Sequence, residues 1–265
     1  MFAKLLKYEW RSNAGTCGIL SLCVLGVSVL GGFALRYIVI SDENARGSAV
    51  FSLGMLLMLA VLSLIAYGFA IYILQLVRFY KNKFTDEGYL TFTLPVTAHQ
   101  IFLSSAVNLL IWMLISGLVL GLCLLIMGLF ATVGIDYPIM EDVSEMLGTE
   151  ALPDGYGLVM LLSRIVSVVF GVVMPLTCLT VGACVAKKHK IMAAFGIYYV
   201  ISMVMSFLQG VMQMASMFGN VVYSEEDFMQ LEMENAVIAM AAQLIVAVAG
   251  YFLSTGLMKK KLNLN

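Results

Sequence analysis

The sequence predicts an all-α integral membrane protein with six transmembrane helices. Hydrophobic residues make up 62% of its 265 residues and charged residues only 12%, whereas a soluble domain is about half apolar and a quarter charged. Six apolar runs are each long enough to cross the hydrocarbon core, which needs about 20 residues. We place the spans at residues 14–40, 51–79, 101–133, 158–186, 191–220 and 236–257, in one transmembrane domain over residues 1–265.

The charges of the connecting segments predict how the chain is oriented. Lys and Arg gather near the N-terminus, between spans two and three, in the short link 186–190 and at the C-terminus, while the other connections are acidic. Cytoplasmic segments of membrane proteins carry the excess of Lys and Arg. We therefore expect both termini, and the segment between spans two and three, in the cytoplasm.

Residues 1–13 precede the first span and predict an amphipathic helix lying in the cytoplasmic interface, as an elbow before span one. Apolar and charged residues interleave there at helical spacing. Tryptophan favours the depth of the lipid headgroups, and basic residues attract anionic lipid. The residues expected to hold this interfacial helix are Lys4, Lys7, Trp10 and Arg11. The alternative is an ordinary basic N-terminus.

Residues 80–100, between spans two and three, combine charges of both signs with apolar side chains at short-helix spacing. Thr85 or Asp86 is a suitable N-cap for a short helix. Leu94 is disfavoured in the α conformation because Pro95 follows it. The pattern predicts a cytoplasmic helix over residues 84–95 with one apolar face. The alternative is a loop that only caps its own two spans.

Polar residues within the spans are the candidates for a translocation path or for polar contacts inside the membrane. An arginine at the depth of Arg164 is costly, so we expect it to pair with Asp154, Glu150 or another outer acid, or to snorkel to the interface. The stretch 207–220 is polar enough to fold back as a re-entrant piece. The candidates are Asn108, Arg164, Gln209 and Gln213.

The sequence lacks the residues that several kinds of chemistry require. No G-x-x-x-x-G-K-[ST] loop is present to cradle ATP. The two histidines lie in predicted turns, and the five cysteines lie in spans without a C-x-x-C pair, as packing residues do. We expect no catalytic residue, no metal site, no cofactor and no nucleic-acid partner. An alternative is Cu(I) handling by Met212, Met214 and Met217.

Residues 86–97, with the sequence D-E-G-Y-L-T-F-T-L-P-V-T, resemble the coupling element of ABC-2 type, or type V, transporter membrane subunits. The likeness is closest to small six-span permeases of Gram-positive bacteria. In that family an E-G element, a hydrophobic segment and a Pro-x-Ser/Thr turn form the coupling helix between spans two and three. Two departures are a shorter Gly88 to Pro95 spacing and Ser104 or Ser105 where the family often has lysine.

The resemblance implies a permease in the bacterial plasma membrane that exports or clears a hydrophobic or amphipathic compound, such as an antimicrobial peptide. Two separately encoded ATPase subunits would bind ATP and Mg, and a second membrane subunit, identical or homologous, would complete the path. The implied ATPase contacts are Thr85, Asp86, Glu87, Tyr89, Leu90, Phe92, Thr93 and Leu94. The alternatives are a sensor or assembly protein that signals through the same segment, and a copper permease.

Overall fold

The computed structural model describes residues 2–40, 48–85, 96–132, 155–186, 189–219 and 225–261. This part of the chain forms six α-helices and no strand. They are α1 (Phe2–Ile40), α2 (Ser48–Phe84), α3 (Ala98–Thr132), α4 (Tyr156–Val185), α5 (Lys190–Gly219) and α6 (Glu225–Lys261). Each contains a stretch long and apolar enough to cross a membrane. The predicted all-α fold with six spans is confirmed.

The helices leave large apolar side chains on their outer surfaces, as contact with lipid requires. Leu22 on α1, Phe51 on α2 and Phe195 on α5 are each about 70% exposed. A soluble protein rarely exposes apolar side chains in contiguous patches of this kind. The surface of the helices therefore agrees with the membrane environment that the composition predicts.

Helix α1 shows no separate elbow at its N-terminus, so the predicted division after residue 13 is wrong. The helix runs without a break from Phe2 to Ile40. Glu9, Asn13 and Cys17 are buried one turn apart, and this buried stripe continues into the span. The packing face is therefore continuous across residue 13. Lys4, Lys7 and Arg11 are exposed, as expected for interfacial residues.

The two helices that flank the predicted cytoplasmic helix extend further toward it than their predicted spans. Helix α2 ends at Phe84 instead of residue 79, and α3 begins at Ala98 instead of residue 101. Lys81 and Lys83 occupy the last turn of α2, where positive charge interacts favourably with the helix dipole. Phe84 therefore belongs to α2, which corrects the predicted start of the 84–95 helix.

The last two helices correct a second prediction. Helix α5 continues to Gly219, so residues 207–219 are not a re-entrant piece. Helix α6 begins at Glu225, well before the predicted start of span six at residue 236. Its first turn therefore includes the acidic residues Glu225, Glu226 and Asp227. The acidic stretch was predicted as a connection because its charges cannot enter lipid, yet charge does not prevent a helix.

The chain divides into two compact units. One contains residues 1–2, 78–110 and 150–265, and the other contains residues 3–77 and 111–149. Helices α2 and α3 contribute residues to both units. We call the first the C-terminal unit and the second the N-terminal unit.

The core of the N-terminal unit brings together residues of α1, α2 and α3. Trp10 stacks on Trp112 with ring centroids 4.9 Å apart. A Cβ atom on Gly31 would lie 2.9 Å from the Cβ of Ala60, so this glycine allows α1 and α2 to approach closely. The buried core residues are Cys17, Val24, Leu64, Tyr67, Ile71, Trp112, Cys123 and Met127. None of the five cysteines, all of which the structure describes, forms a disulfide.

A buried polar pair also joins α1 to α2 in this unit. The side-chain amide of Asn13 donates to the side-chain oxygen of Gln75 at 2.6 Å, and both residues are at most 5% exposed. The Gln75 amide nitrogen in turn lies 3.6 Å from the sulfur of Cys17. Gln75 is therefore a packing residue between two helices.

This pair should show measurable coupling in a double-mutant cycle. Asn13→Ala and Gln75→Ala each remove one side of this hydrogen bond and leave the other side buried. The double variant should therefore lose less unfolding free energy than the two single variants lose together. For a hydrogen bond between membrane helices we expect a coupling free energy of about 1 kcal/mol. Reversible unfolding in mixed micelles measures it, and strictly additive effects would contradict the pairing.

In the C-terminal unit, α4 packs against both α5 and α6. The two contacts are close where glycine replaces a side chain. A Cβ atom on Gly182 would lie 2.7 Å from the Cβ of Ala194 on α5. One on Gly250 would lie 3.1 Å from the hydroxyl oxygen of Thr177 on α4. Helices α4, α5 and α6 therefore form a tightly packed group.

Candidate functional site

A polar cleft of about 370 Å³ lies between α4, α5 and α6 in the C-terminal unit. Each helix contributes one face to it, because the lining positions recur at intervals of three or four residues. The lining residues are Met160, Ser163, Arg164, Ser167, Gln209, Met212, Gln213, Glu232, Asn235, Ala236, Ala239, Met240 and Gln243. The cleft therefore concentrates polar groups within three predominantly apolar helices.

Hydrogen bonds between helices hold part of this lining in place. The Ser167 hydroxyl on α4 donates to the side-chain oxygen of Gln243 on α6 at 3.0 Å. The Tyr156 hydroxyl, also on α4, donates to Glu232 Oε2 at 2.8 Å. These two bonds tie α4 to α6 near both ends of the cleft, and so they fix the positions of Glu232 and Gln243.

A third bond links α6 to α5. The side-chain amide nitrogen of Asn235 donates to the hydroxyl oxygen of Ser216 at 3.0 Å. The Ser216 hydroxyl itself donates to the backbone carbonyl of Gln213 at 2.9 Å. The three helices are thus connected around the cleft by side chains, which is how polar residues commonly join helices inside a membrane.

Arg164 is the one positively charged residue among the lining residues. It is exposed, and it lies eight residues after Tyr156, which corresponds to roughly 12 Å along the helix axis. Its expected partners Asp154 and Glu150 lie outside the described residues. With the described part of the chain Arg164 forms neither an ion pair nor a hydrogen bond. Its guanidinium group is therefore available to a ligand in the cleft.

Three of the four polar residues predicted within the spans meet in this cleft. Arg164, Gln209 and Gln213 all line it, whereas Asn108 is buried within α3 and does not. Sequence reasoning missed Glu232 and Gln243. Glu232 was assigned to an acidic connection between spans. Once α6 is extended back to Glu225, Glu232 and Gln243 lie eleven residues apart on one face of the helix, and this spacing is the signal that could have found them.

The cleft offers hydrogen-bonding groups and two opposite charges, but not a typical metal site. No group of three or more His, Cys, Asp or Glu residues suited to a metal occurs among the described residues. Of the methionines considered for copper, Met212 lines the cleft, Met214 is 62% exposed outside it, and the side chain of Met217 is not described. The lining residues therefore suit the binding of a charged group that forms hydrogen bonds.

A second candidate site is the pair of helix ends that flanks residues 86–95. At the end of α2, Lys83 is 2% exposed, and its ammonium group contacts the backbone carbonyl oxygen of Ile101 on α3 at 3.4 Å. The same ammonium lies 5.7 Å from the ring centre of Phe79, a cation–π distance. Phe79 in turn meets Phe102 on α3 edge to face. These contacts fasten the end of α2 to the start of α3.

The start of α3 is fixed by its own residues and by α6. The backbone N–H of Gln100 donates to the Thr97 hydroxyl, and the backbone N–H of Thr97 donates to the Gln100 side chain, both at 3.4 Å. This reciprocal arrangement is a capping box, which the T-A-H-Q sequence of residues 97–100 indicates. The His99 ring lies 3.0 Å from the Tyr251 hydroxyl of α6.

Of the residues expected to contact an ATPase, only Thr85 is among the described residues. It follows the last residue of α2, and its hydroxyl donates to the carbonyl oxygen of Lys81. A role as N-cap would require the backbone amides two or three residues later, which lie outside the described residues. Asp86, Glu87, Tyr89, Leu90, Phe92, Thr93 and Leu94 lie outside as well.

Comparison with protein-family models, curated proteins and solved structures found no match to this chain. Its own residues are therefore the guide to its function. These provide two separate features, a polar cleft within the helices and a fastened pair of helix ends that holds residues 86–95 between them.

Proposed function

We propose that this protein is the membrane permease subunit of an ATP-driven transporter of the ABC-2 type. The observation that carries the proposal is the fastening of α2 to α3 on either side of residues 86–95. Lys83 is buried against the carbonyl of Ile101, and the capping box at Thr97 starts α3 immediately after the segment. A segment that receives force from a partner needs such fixed ends, whereas a loop that only joins two spans does not.

The apolar side chains of the segment suit a groove on an ATPase. Tyr89, Leu90 and Phe92 would enter the groove in the helix-in-groove mode, which uses apolar anchors at helical spacing. Asp86 and Glu87 would meet basic residues at the groove's rim. Tyrosine and other aromatic anchors commonly dominate the binding energy of such interfaces.

Movement of the ATPase subunits would then reach the membrane through α2 and α3. Each is one unbroken helix of more than thirty residues. Closure of two ATPase domains around ATP is a hinge-like movement, and helices fastened at the moving end would follow it as nearly rigid rods. ATP and Mg would be bound by the partner, since this chain carries no phosphate-binding loop.

In this proposal the protein lies in the bacterial plasma membrane with both termini in the cytoplasm. A second membrane subunit, identical or homologous, would complete the transporter, together with two ATPase subunits. The cargo would be a hydrophobic or amphipathic compound, such as an antimicrobial peptide. The polar cleft supports this class of cargo, since it combines polar groups with methionine side chains in one place.

Purification of the protein from its own host, with identification of every co-eluting chain, tests the proposal. We expect an ATPase with a phosphate-binding loop to co-elute and to be retained through successive chromatography steps. ATP hydrolysis by the purified complex should depend on Mg. A complex that contains a kinase or a regulator and no ATPase would contradict the proposal and would favour the sensor alternative.

A further inference from the structure

We infer that the cleft between α4, α5 and α6 binds the headgroup of a zwitterionic amphiphile, with the anionic group at Arg164 and the ammonium group at Glu232. The binding site depends only on the residues of the cleft. Its identification as a cargo site rests on the proposed function.

The two charges of the cleft are the first argument. Arg164 and Glu232 line the same cleft, and no ion pair joins them. A guanidinium group within a membrane span is costly unless an anion or water meets it, and it binds phosphate or carboxylate through paired hydrogen bonds. Glu232 accepts a hydrogen bond from Tyr156 at Oε2, so its other oxygen is available to a cationic donor.

The amide side chains are the second argument. Gln209 and Gln213 line the cleft from α5, and their side chains form no hydrogen bond with the described part of the chain. Gln243 accepts from Ser167 through its oxygen, which leaves its amide nitrogen to donate elsewhere. Polar side chains that lipid shields from water need hydrogen-bond partners, and a polar headgroup with several oxygens would satisfy these donors together.

The size and the walls of the cleft favour an amphiphile over a small ion. Its volume of about 370 Å³ is at the lower end of the range for ligand pockets. Met160, Met212 and Met240 supply flexible apolar surface beside the polar groups. A headgroup would occupy the polar part, and the start of an acyl chain would lie along the methionines.

Native mass spectrometry of the purified chain in a non-ionic detergent tests this inference without any ATPase. The probes are lysophosphatidylethanolamine, which is zwitterionic, lysophosphatidylglycerol, which is anionic only, and a neutral monoacylglycerol of equal chain length. We expect the zwitterionic lipid to bind most tightly and the monoacylglycerol most weakly. Phosphoethanolamine without a chain should bind more weakly than the zwitterionic lipid, which separates a free headgroup from an amphiphile.

Two substitutions assign the charges. Arg164→Gln should lower the affinity for both phospholipids by about tenfold or more, because a hydrogen bond to a charged group is lost. Glu232→Gln should lower the affinity for the zwitterionic lipid by a similar factor and leave the affinity for the anionic lipid unchanged. Arg164→Lys keeps the positive charge, so it should retain part of the binding.

Matched controls change the same charges outside the cleft. Arg36→Gln on α1 and Glu234→Gln on α6 remove one charge each, and neither residue lines the cleft. They should bind all three lipids as the unchanged protein does. Equal binding of the three lipids, or equal losses in Arg36→Gln and Arg164→Gln, would overturn the inference. That result would leave the ATPase co-purification unaffected.

Discussion

Replacing Tyr89 with alanine is expected to lower the affinity of the permease for its ATPase by about thirtyfold. An aromatic anchor in the centre of an interface contributes about 2 kcal/mol or more on truncation, and each 1.4 kcal/mol is a factor of ten. Tyr89 is one of the aromatic residues in the segment that the fastened ends of α2 and α3 hold. Binding of the purified ATPase to the detergent-solubilised permease measures the loss directly.

Two further variants make this expectation specific. Tyr89→Phe keeps the ring and should retain most of the affinity. Tyr8→Ala removes a tyrosine that is 73% exposed on α1, outside the segment, and it should leave ATPase binding unchanged. If Tyr89→Ala bound the ATPase as well as Tyr8→Ala does, the segment would not be the ATPase contact.

Replacing Gly182 with alanine is expected to give the largest loss of stability among small substitutions in the C-terminal unit. The added Cβ would lie 2.7 Å from both the Cβ and the backbone nitrogen of Ala194, so α5 must move away from α4. Overpacking of this kind costs roughly 1–3 kcal/mol. Thermal unfolding in detergent should show a lower midpoint for Gly182→Ala than for the unchanged protein.

A control on the partner helix separates this clash from a general effect of removing glycine. Gly196 lies two residues after Ala194 on α5, and a Cβ atom there would meet nothing within 4 Å. Gly196→Ala should be neutral or slightly stabilising, because alanine suits a helix better than glycine. Adding Ala194→Gly to Gly182→Ala should recover little stability, because the backbone nitrogen and Cα of residue 194 remain 2.7 and 2.8 Å from the added Cβ. An unfolding midpoint unchanged by Gly182→Ala would show that α4 and α5 do not pack at this contact.

The number and type of the helices could be predicted from the sequence because long apolar runs have few alternatives in a membrane. The helix ends could not be placed from hydropathy alone. Helix α6 begins within an acidic stretch at Glu225, and α2 extends through Lys81 and Lys83, where the helix dipole favours positive charge. An apolar run shows which part of a helix lies in lipid, but the helix itself can extend beyond that run.

The polar cleft was only partly predictable. Arg164, Gln209 and Gln213 stood out because polar residues within apolar runs are rare. Their meeting in one cleft depends on which faces of α4 and α5 approach each other, and that is decided by contacts such as Gly182 with Ala194. Sequence spacing within one helix does not contain this information, and so Glu232 on α6 was not connected with Arg164.

The N-terminal unit shows the same limit. Trp10 was predicted at the depth of the lipid headgroups from its place beside Lys7 and Arg11. In the structure its ring stacks on Trp112, although it remains 37% exposed. An amphipathic pattern shows that one face is apolar, but it does not show whether lipid or another helix covers that face.

The central claim is that an ATPase binds the segment between α2 and α3, and photocrosslinking in living host cells tests it most directly. A photoreactive phenylalanine analogue would replace Tyr89 in one variant and Phe92 in another, with Phe51 on the exposed surface of α2 as the control position. We predict that the first two variants crosslink to an ATPase chain and that the third does not. Crosslinks from Tyr89 and Phe92 to lipid alone, or to the permease itself, would contradict the account.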